Sequence, residues 1–277
     1  MKTGILFDLD GTLLDTLADL ADSVNHVLAS FGYPQRTVEE VRQFVGNGAA
    51  RLIAQAVPEG ANPAPVLAAF QPYYSAHCQI KTKPYEGIPE ALAALRERYP
   101  LAIVSNKPDA AVKTLCADIF PGIYARGESP DCPRKPAADM VYKAMASIGA
   151  DTCIYVGDSD VDVLTANNAG VPCLSVLWGF RDRACMESVG AKHFCESPAQ
   201  LVADIEEIIH SLGFFRSKAK NLVALAQTVM ADFGGEIPAD VDELLAQKYV
   251  DDESKTITDL VSDATVAIGG KISIRRF

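Results

Sequence analysis

Four short polar runs in this chain have the residue types that phosphoryl transfer needs. They are Asp8-Leu9-Asp10-Gly11-Thr12, Ser105-Asn106-Lys107, Arg134-Lys135-Pro136 and Gly157-Asp158-Ser159-Asp160-Val161-Asp162. Carboxylates from separate segments, Asp8 and Asp158, can share one Mg²⁺, a hard cation that favours oxygen ligands. A carboxylate such as Asp8 can itself attack phosphorus and form an aspartyl-phosphate. Asp10, two residues on, can protonate the leaving oxygen and later activate water. Ser105 can hydrogen-bond a phosphoryl oxygen, and Lys135 can meet the negative charge that builds in the transition state.

Each run alone has a plainer meaning. A lone DxD is usually a turn or a helix cap, Ser105 a strand-end cap, Lys135 a surface lysine. Asp158-x-Asp160-x-Asp162 opens like a calcium loop. Val163, however, stands where the sharp-turn glycine belongs and Ala169 where the bidentate glutamate belongs, which excludes that reading. Asp160 is then expected in solvent. Four such runs in this order, each at a strand end or in a loop, make coincidence improbable.

The elements that must position them follow from apolar spacing. Ile5-Leu6-Phe7 reads as a buried strand that ends in carboxylates. Helical spacing runs from Leu17 to Phe31, Thr37-Val-Glu-Glu40 reads as a capping box, and a third helix is expected over Ala49–Val57. Proline-rich residues 58–65 read as a loop before a helix to about Ser75, so 16–84 is expected to be entirely helical. After Pro84, helices (90–99, 109–118, 137–148, 163–169) alternate with apolar runs (101–104, 119–124, 153–156, 171–176). A strand-like His193-Phe194 and a helix from Pro198 follow. Alternation of this kind is the signature of an α/β fold, a doubly wound parallel sheet of Rossmann-like form. The helical block is inserted after its first strand, where it serves as a cap over the site. The expected division is 1–15 plus 85–205 for the core, 16–84 for the cap, and 206–246 and 247–277 as a mostly helical appendage.

Bulk properties narrow the partners. The formal charge of −11 and the pI near 4.8 argue against broad binding to nucleic acid or anionic membranes. A small anionic ester remains compatible, because a bound cation can reverse the field inside a cleft. The apolar run before Asp8 is too short for a signal-peptide core, and no later stretch is long enough to span a bilayer. The 7 cysteines form an odd set without a CxxC pair, the pattern of reduced thiols in a cytoplasmic protein.

The four motifs, FDLDGTLLD (7–15), IVSNK (103–107), RKP around Lys135 and VGDSDVDVLTANNAG (156–170), resemble those of the haloacid dehalogenase superfamily. The resemblance implies Asp8 as nucleophile and Asp10 as acid/base. It implies Mg²⁺ held by Asp8, the Asp10 carbonyl and Asp158, with Asp162 nearby, and phosphate held by Thr12, Ser105, Asn106 and Lys135. Dehalogenase relatives lack the second aspartate and phosphonate-cleaving relatives replace it, so Asp10 points to phosphatases or sugar phosphomutases. FVGNGAARLI (44–53), Tyr85-Glu-Gly87 and SNKP look like phosphoglycolate phosphatases, with 2-phosphoglycolate as the implied substrate. Asn47 and Arg51 are then candidates to meet a substrate carboxylate, against the plainer roles of helix cap and exposed arginine. Pyrophosphatase or β-phosphoglucomutase-like activity is the alternative within this fold, and a homodimer is compatible with it.

The tail is different in kind. Residues 213–246 resemble an internal slice of endonuclease III and 249–277 the C-terminal part of elongation factor Ts. The first slice stops before that family's glycine-rich hairpin and catalytic residues. No cysteine follows Cys195, so its four-thiolate cluster cannot be built. No functional residue carries over from either family. The tail reads as two to four amphipathic helices with a final strand at 272–274, joined as in a chimera. Arg216, Lys218 and Lys220 raise a nucleic-acid module as a second function class, opposed by 12 acidic residues from Glu206 onward.

Overall fold

The computed structural model describes residues 2–211, together with 248–249, 252–256, 258–259 and 262. Ile5, Leu6 and Phe7 are fully buried in β1 (Thr3–Phe7). Such a continuous apolar run suits a strand covered on both faces by helices. Next come β2 (Leu14–Asp15), the helices α1 (Leu17–Ser30), α2 (Val38–Phe44), α3 (Gly48–Ala56) and α4 (Pro63–His77), then β3 (Lys83–Pro84) and α5 (Ile88–Arg96). The chain continues through β4 (Leu101–Pro108), α6 (Asp109–Ile119), β5 (Tyr124–Glu128), α7 (Asp139–Ile148), β6 (Thr152–Gly157), α8 (Asp160–Ala169), β7 (Cys173–Val176), α9 (Arg183–Ser188) and β8 (His193–Cys195). A further helix covers 201–211.

Six strands form one parallel sheet in the order β5-β4-β1-β6-β7-β8. From β1 the sheet grows first to one side, through β4 and β5, and then to the other through β6, β7 and β8. The strand order therefore reverses at β1, and a crevice opens there beyond the carboxyl ends of the strands. Asp8 and Asp158 sit just past the ends of β1 and β6, and Ser105 stands in the second half of β4, beyond its last pair with β1.

Helices α1 to α4 make the cap, with Val24, Leu28, Val41, Ile53, Val66 and Phe70 in its own buried cluster. At roughly 1.5–3 kcal/mol for each fully buried large side chain, that cluster stabilises the cap as a unit. Leu115 of α6 joins the same cluster, which seats the cap on the core. The two connections between cap and core are tied together. β2 pairs antiparallel with β3, Leu14 opposite Pro84 and Asp15 opposite Lys83. Beside them the buried Asp19 carboxylate accepts backbone N–H bonds from Ile80 (3.0 Å), Lys81 (2.9 Å) and Thr82 (2.8 Å).

Several elements fall elsewhere than the sequence spacing suggested. Residues 16–84 are not wholly helical, because Lys83–Pro84 pairs as a strand. The proline-rich loop is shorter than 58–65: Asn62 caps α4 through the Ala64 N–H and Pro63 opens the helix, a position that suits proline because its missing N–H is unneeded there. The strand placed at 119–124 is β5 at 124–128, since Ile119 finishes α6 and a turn follows. Helix α8 starts three residues before Val163, at Asp160, where Ser159 and Asp162 form a capping box.

The first compact unit runs Met1–Ile209, a few residues past the end read at 205, and the second runs His210–Phe277. In the second, β9 (Lys248–Tyr249) pairs antiparallel with β10 (Asp252–Thr256), two strands absent from the sequence reading. The helices, the basic cluster and the strand expected within 212–247 and 263–277 lie outside the described residues. No helix among the described residues is long and apolar enough to cross a membrane.

Candidate active site

The loop after β1 folds back tightly on itself. Leu13 and Leu14 both donate backbone N–H bonds to the Leu9 carbonyl, at 3.0 and 2.9 Å. Gly11 allows this at φ 88°, and a Cβ there would collide with the Asp158 carboxylate. The fold of this loop brings Asp8 and Asp10 to one cavity of about 80 Å³ between core and cap, lined also by Ser105, Lys107, Lys135 and Asp158.

Lys135 is the cation at the reacting end. It is 3% exposed, and its Nζ lies 2.7 Å from Asp8 Oδ1 and 2.7 Å from Asp162 Oδ1. Its place is set by Asn106, whose Oδ1 accepts the Lys135 N–H at 2.8 Å and whose Nδ2 donates to the Lys135 carbonyl at 3.0 Å. That amide also donates to the Gly46 carbonyl of the cap at 3.2 Å. The side chain of Asn106, a residue expected to hold phosphate, thus bonds to the Lys135 backbone and to the cap. Thr12 is similar: its hydroxyl donates to Asp158 Oδ1 at 2.8 Å and is fully buried. Ser105 lines the cavity directly.

Asp158 is wedged between two glycines, because a Cβ at Gly11 or at Gly179 would collide with it. The Phe180 N–H donates to Asp158 Oδ2 at 2.7 Å. Asp162 is fully buried at N3 of α8, held by the Ser159 N–H (3.1 Å) and hydroxyl (2.6 Å) and by the Tyr155 hydroxyl (3.3 Å). Asp160, expected in solvent, is only 33% exposed at its side chain and lies 3.7 Å from Arg181 Nε.

One oxygen each from Asp8, Asp158 and Asp162 falls within 4.8 Å of the others. Burial pushes Asp8 well above the ordinary carboxylate range, with Lys135 opposing and Asp162 and Asp158 reinforcing. Burial, with Asp162 beside it, pushes Asp158 up to about 7. Three crowded, desolvated carboxylates against one lysine are short of positive charge, and their hard oxygens fit a divalent cation of the Mg²⁺ type.

Two residues escaped the sequence reading. Lys107, 6% exposed, donates to Asp10 Oδ1 at 2.7 Å and to the hydroxyl of Tyr74 in α4 at 2.5 Å. Burial alone would lower the Lys107 pKa, but Asp10 and Tyr74 hold it above the ordinary lysine range. Burial raises the Tyr74 phenol, so it stays protonated. Lys107 carried a signal, its place in the SNK run at a strand end, whereas Tyr74 looked like any apolar position of a helix. Asn47 and Arg51 do not line the cavity. Asn47 occupies the N-cap position of α3 without a side-chain cap bond, and Arg51 is exposed.

The cap is latched over the site by two arginines. Arg181, past β7, donates to the carbonyls of Arg42 (3.0 Å), Gln43 (3.1 Å) and Val45 (2.6 Å). Arg42 of α2 answers with a bond to the Gly179 carbonyl at 2.5 Å.

A parallel sheet with aspartates at its central strand ends and a helical cap inserted after β1 defines a capped hydrolase. The chain belongs to the haloacid dehalogenase-like hydrolases, whose family profile matches residues 5–176. It is a phosphatase of that family. It is 35% identical over 191 residues to phosphoglycolate phosphatase 1 of Pseudomonas aeruginosa, covering 64% of this chain and 70% of that one. A phosphoglycolate phosphatase of Agrobacterium fabrum is 34% identical over 197 residues, covering 66% and 83%. A crystal structure from Lactobacillus delbrueckii subsp. bulgaricus, assigned as a phosphoglycolate phosphatase, superposes with a TM-score of 0.70 at 35% identity, covering 74% of this chain and 99% of that one.

Proposed function

We propose that the protein is a Mg²⁺-dependent phosphomonoesterase that works through an aspartyl-phosphate on Asp8, with 2-phosphoglycolate or a similarly small ester as substrate. The observation that carries this is the meeting of Asp8, Asp10, Lys135 and Asp158 in one cavity between core and cap. Asp8 attacks phosphorus, the ester P–O bond breaks, and Asp10 gives its proton to the departing oxygen. Asp10 then takes a proton from water as that water attacks phosphorus, and the bond to Asp8 breaks to release phosphate. Ser105 and Lys135 bind the phosphoryl oxygens, and Lys135 meets the charge that develops on them. Mg²⁺, held by Asp8, Asp158 and the Asp10 carbonyl with Asp162 nearby, would neutralise phosphoryl charge as a Lewis acid. Thr12 and Asn106 serve by fixing Asp158 and Lys135.

The size of the cavity supports a short substrate. A volume of about 80 Å³ holds only a handful of water-sized groups at roughly 10–15 Å³ each. A hexose phosphate would require the cap to open. The names of the relatives agree with the smaller ester.

The test is phosphate release from 2-phosphoglycolate, β-glucose 1-phosphate and pyrophosphate with Mg²⁺, for the wild type and Asp8→Asn. Release from phosphoglycolate that vanishes in the variant is expected. Equal release from the variant would overturn the nucleophile assignment, and preference for either other compound would overturn the substrate.

A further inference from the structure

The hydrolytic scheme leaves one buried charge without a task. Lys107, the penultimate residue of β4, is 6% exposed and lines the cavity. An ammonium is costly to desolvate and is retained inside proteins where it is paired or used. Asp10 provides one partner. The other cations that line the cavity are committed elsewhere: Lys135 to Asp8 and Asp162, and Arg181 to three cap carbonyls.

Lys107 has three N–H donors, of which one is directed to Asp10 and one to Tyr74. Tyr74 accepts that second bond, so its own O–H remains to donate. An N–H of Lys107 and the O–H of Tyr74 are therefore two open donors on adjoining groups, one with a full positive charge. Their location follows from Asp10. Lys107 lies 2.7 Å from the carboxyl assigned to the leaving oxygen, so the first carbons of the leaving group must pass beside it. Both residues line the same small cavity.

Resting on the phosphomonoesterase reading, we propose that Lys107 and Tyr74 together bind a carboxylate on the alcohol part of the substrate. The site thereby selects short phosphate monoesters that carry a second anionic group. This places carboxylate recognition on β4 and α4 rather than on Asn47 and Arg51. It also makes recognition depend on the cap, because Tyr74 belongs to α4 and Lys107 to the core. A substrate without the second anion leaves both donors without a partner in a buried site, which is a source of discrimination.

The experiment compares 2-phosphoglycolate with ethyl phosphate, which has the same phosphoester and no carboxylate. kcat/KM for both is measured with Mg²⁺ in the wild type, Lys107→Met and Tyr74→Phe. The wild type is expected to prefer phosphoglycolate. The ratio of the two kcat/KM values should fall roughly 10–100-fold in Lys107→Met and by a smaller factor in Tyr74→Phe, as loss of charge-assisted and neutral hydrogen bonds requires. A ratio unchanged in both variants, with both substrates slowed alike, would overturn the proposal and leave Lys107 as a positioning residue for Asp10. If Lys107→Met does not fold by circular dichroism, the ratio in Tyr74→Phe decides. A wild type that hydrolyses both esters equally refutes carboxylate selection while the phosphomonoesterase reading stands. A wild type that hydrolyses neither refutes both.

Discussion

Asp8→Asn should abolish turnover at almost no cost in stability, whereas Lys135→Met should abolish turnover and also weaken the fold. Asp8 meets Lys135 at 2.7 Å and the oxygens of Asp158 and Asp162 within 4.8 Å. At an effective dielectric of about 20, the attraction is about 6 kcal/mol and the two repulsions are at least about 3.5 kcal/mol each, so together they offset it. Burial already pushes Asp8 toward its neutral form, which makes an amide there cheaper still. Asn is also close to isosteric with Asp and keeps the packing. Its effect on folding should lie within about 1 kcal/mol of zero, while loss of the nucleophile should cost at least about 10⁴-fold in kcat.

Lys135→Met removes the counter-charge instead. It leaves Asp8 and Asp162 buried without their cation, a loss of about 3–5 kcal/mol for a broken buried pair. The single tryptophan, Trp178, donates its Nε1–H to the Thr12 carbonyl at 3.0 Å, so its fluorescence reports on the loops that build the site. Urea titration in EDTA, followed by that signal and by phosphate release, checks both variants. Destabilisation of Asp8→Asn by more than about 3 kcal/mol, or a neutral Lys135→Met, would refute this account of the site's electrostatics.

Removing metal should lower stability: Mg²⁺ at about 100 times its Kd should add about 2.7 kcal/mol, read as a rise in Tm that is smaller in Asp8→Asn. Arg181→Ala deletes three bonds to cap carbonyls. At roughly 1 kcal/mol per bond, the three bonds set a ceiling of about 150-fold on the rise in KM from a loosened cap, and the variant should also be cut faster by proteases at the cap connections. Thiol labelling should find Cys185 first, the half-buried one of seven free cysteines. Burial pushes Cys116 and Cys153 up to about 12, so they stay as unreactive thiols at pH 8 and label only after unfolding; rapid labelling of several thiols in the native protein would contradict the described packing.

What could be read in the sequence was whatever is encoded locally. Asp8, Asp10 and Asp158 stand at the ends of apolar runs, and a strand end in a parallel sheet is a place where chemistry can face a crevice. The capping box at Thr37–Glu40 was legible for the same reason, because a helix start is written in four residues. The box at Ser159–Asp162 was equally local, yet the calcium-loop pattern over the same residues drew attention from it. The shift of β5 came from apolar Ile119 and Phe120, which pack, partly and fully buried, at the end of α6 before the strand begins.

The contacts that the sequence does not reveal share one property: their partners lie far away in the chain. Thr12 and Asn106 stand inside motifs whose family resemblance implies phosphate binding, and nothing local shows what their side chains touch. Their partners, Asp158 and the Lys135 backbone, lie 146 and 29 residues away. Tyr74 has no local signal at all, since its role arises only when α4 closes over Lys107. Arg42 and Arg181 become a latch only when α2 meets the loop past β7. The carboxylates are thus legible at single strand ends, whereas the contacts that fix them come from other parts of the core and, at Lys107, from the cap. A substitution at Asp8 or Asp10 should therefore act on kcat, and one at Lys107, Tyr74 or the Arg42–Arg181 latch should act first on the capture and choice of substrate.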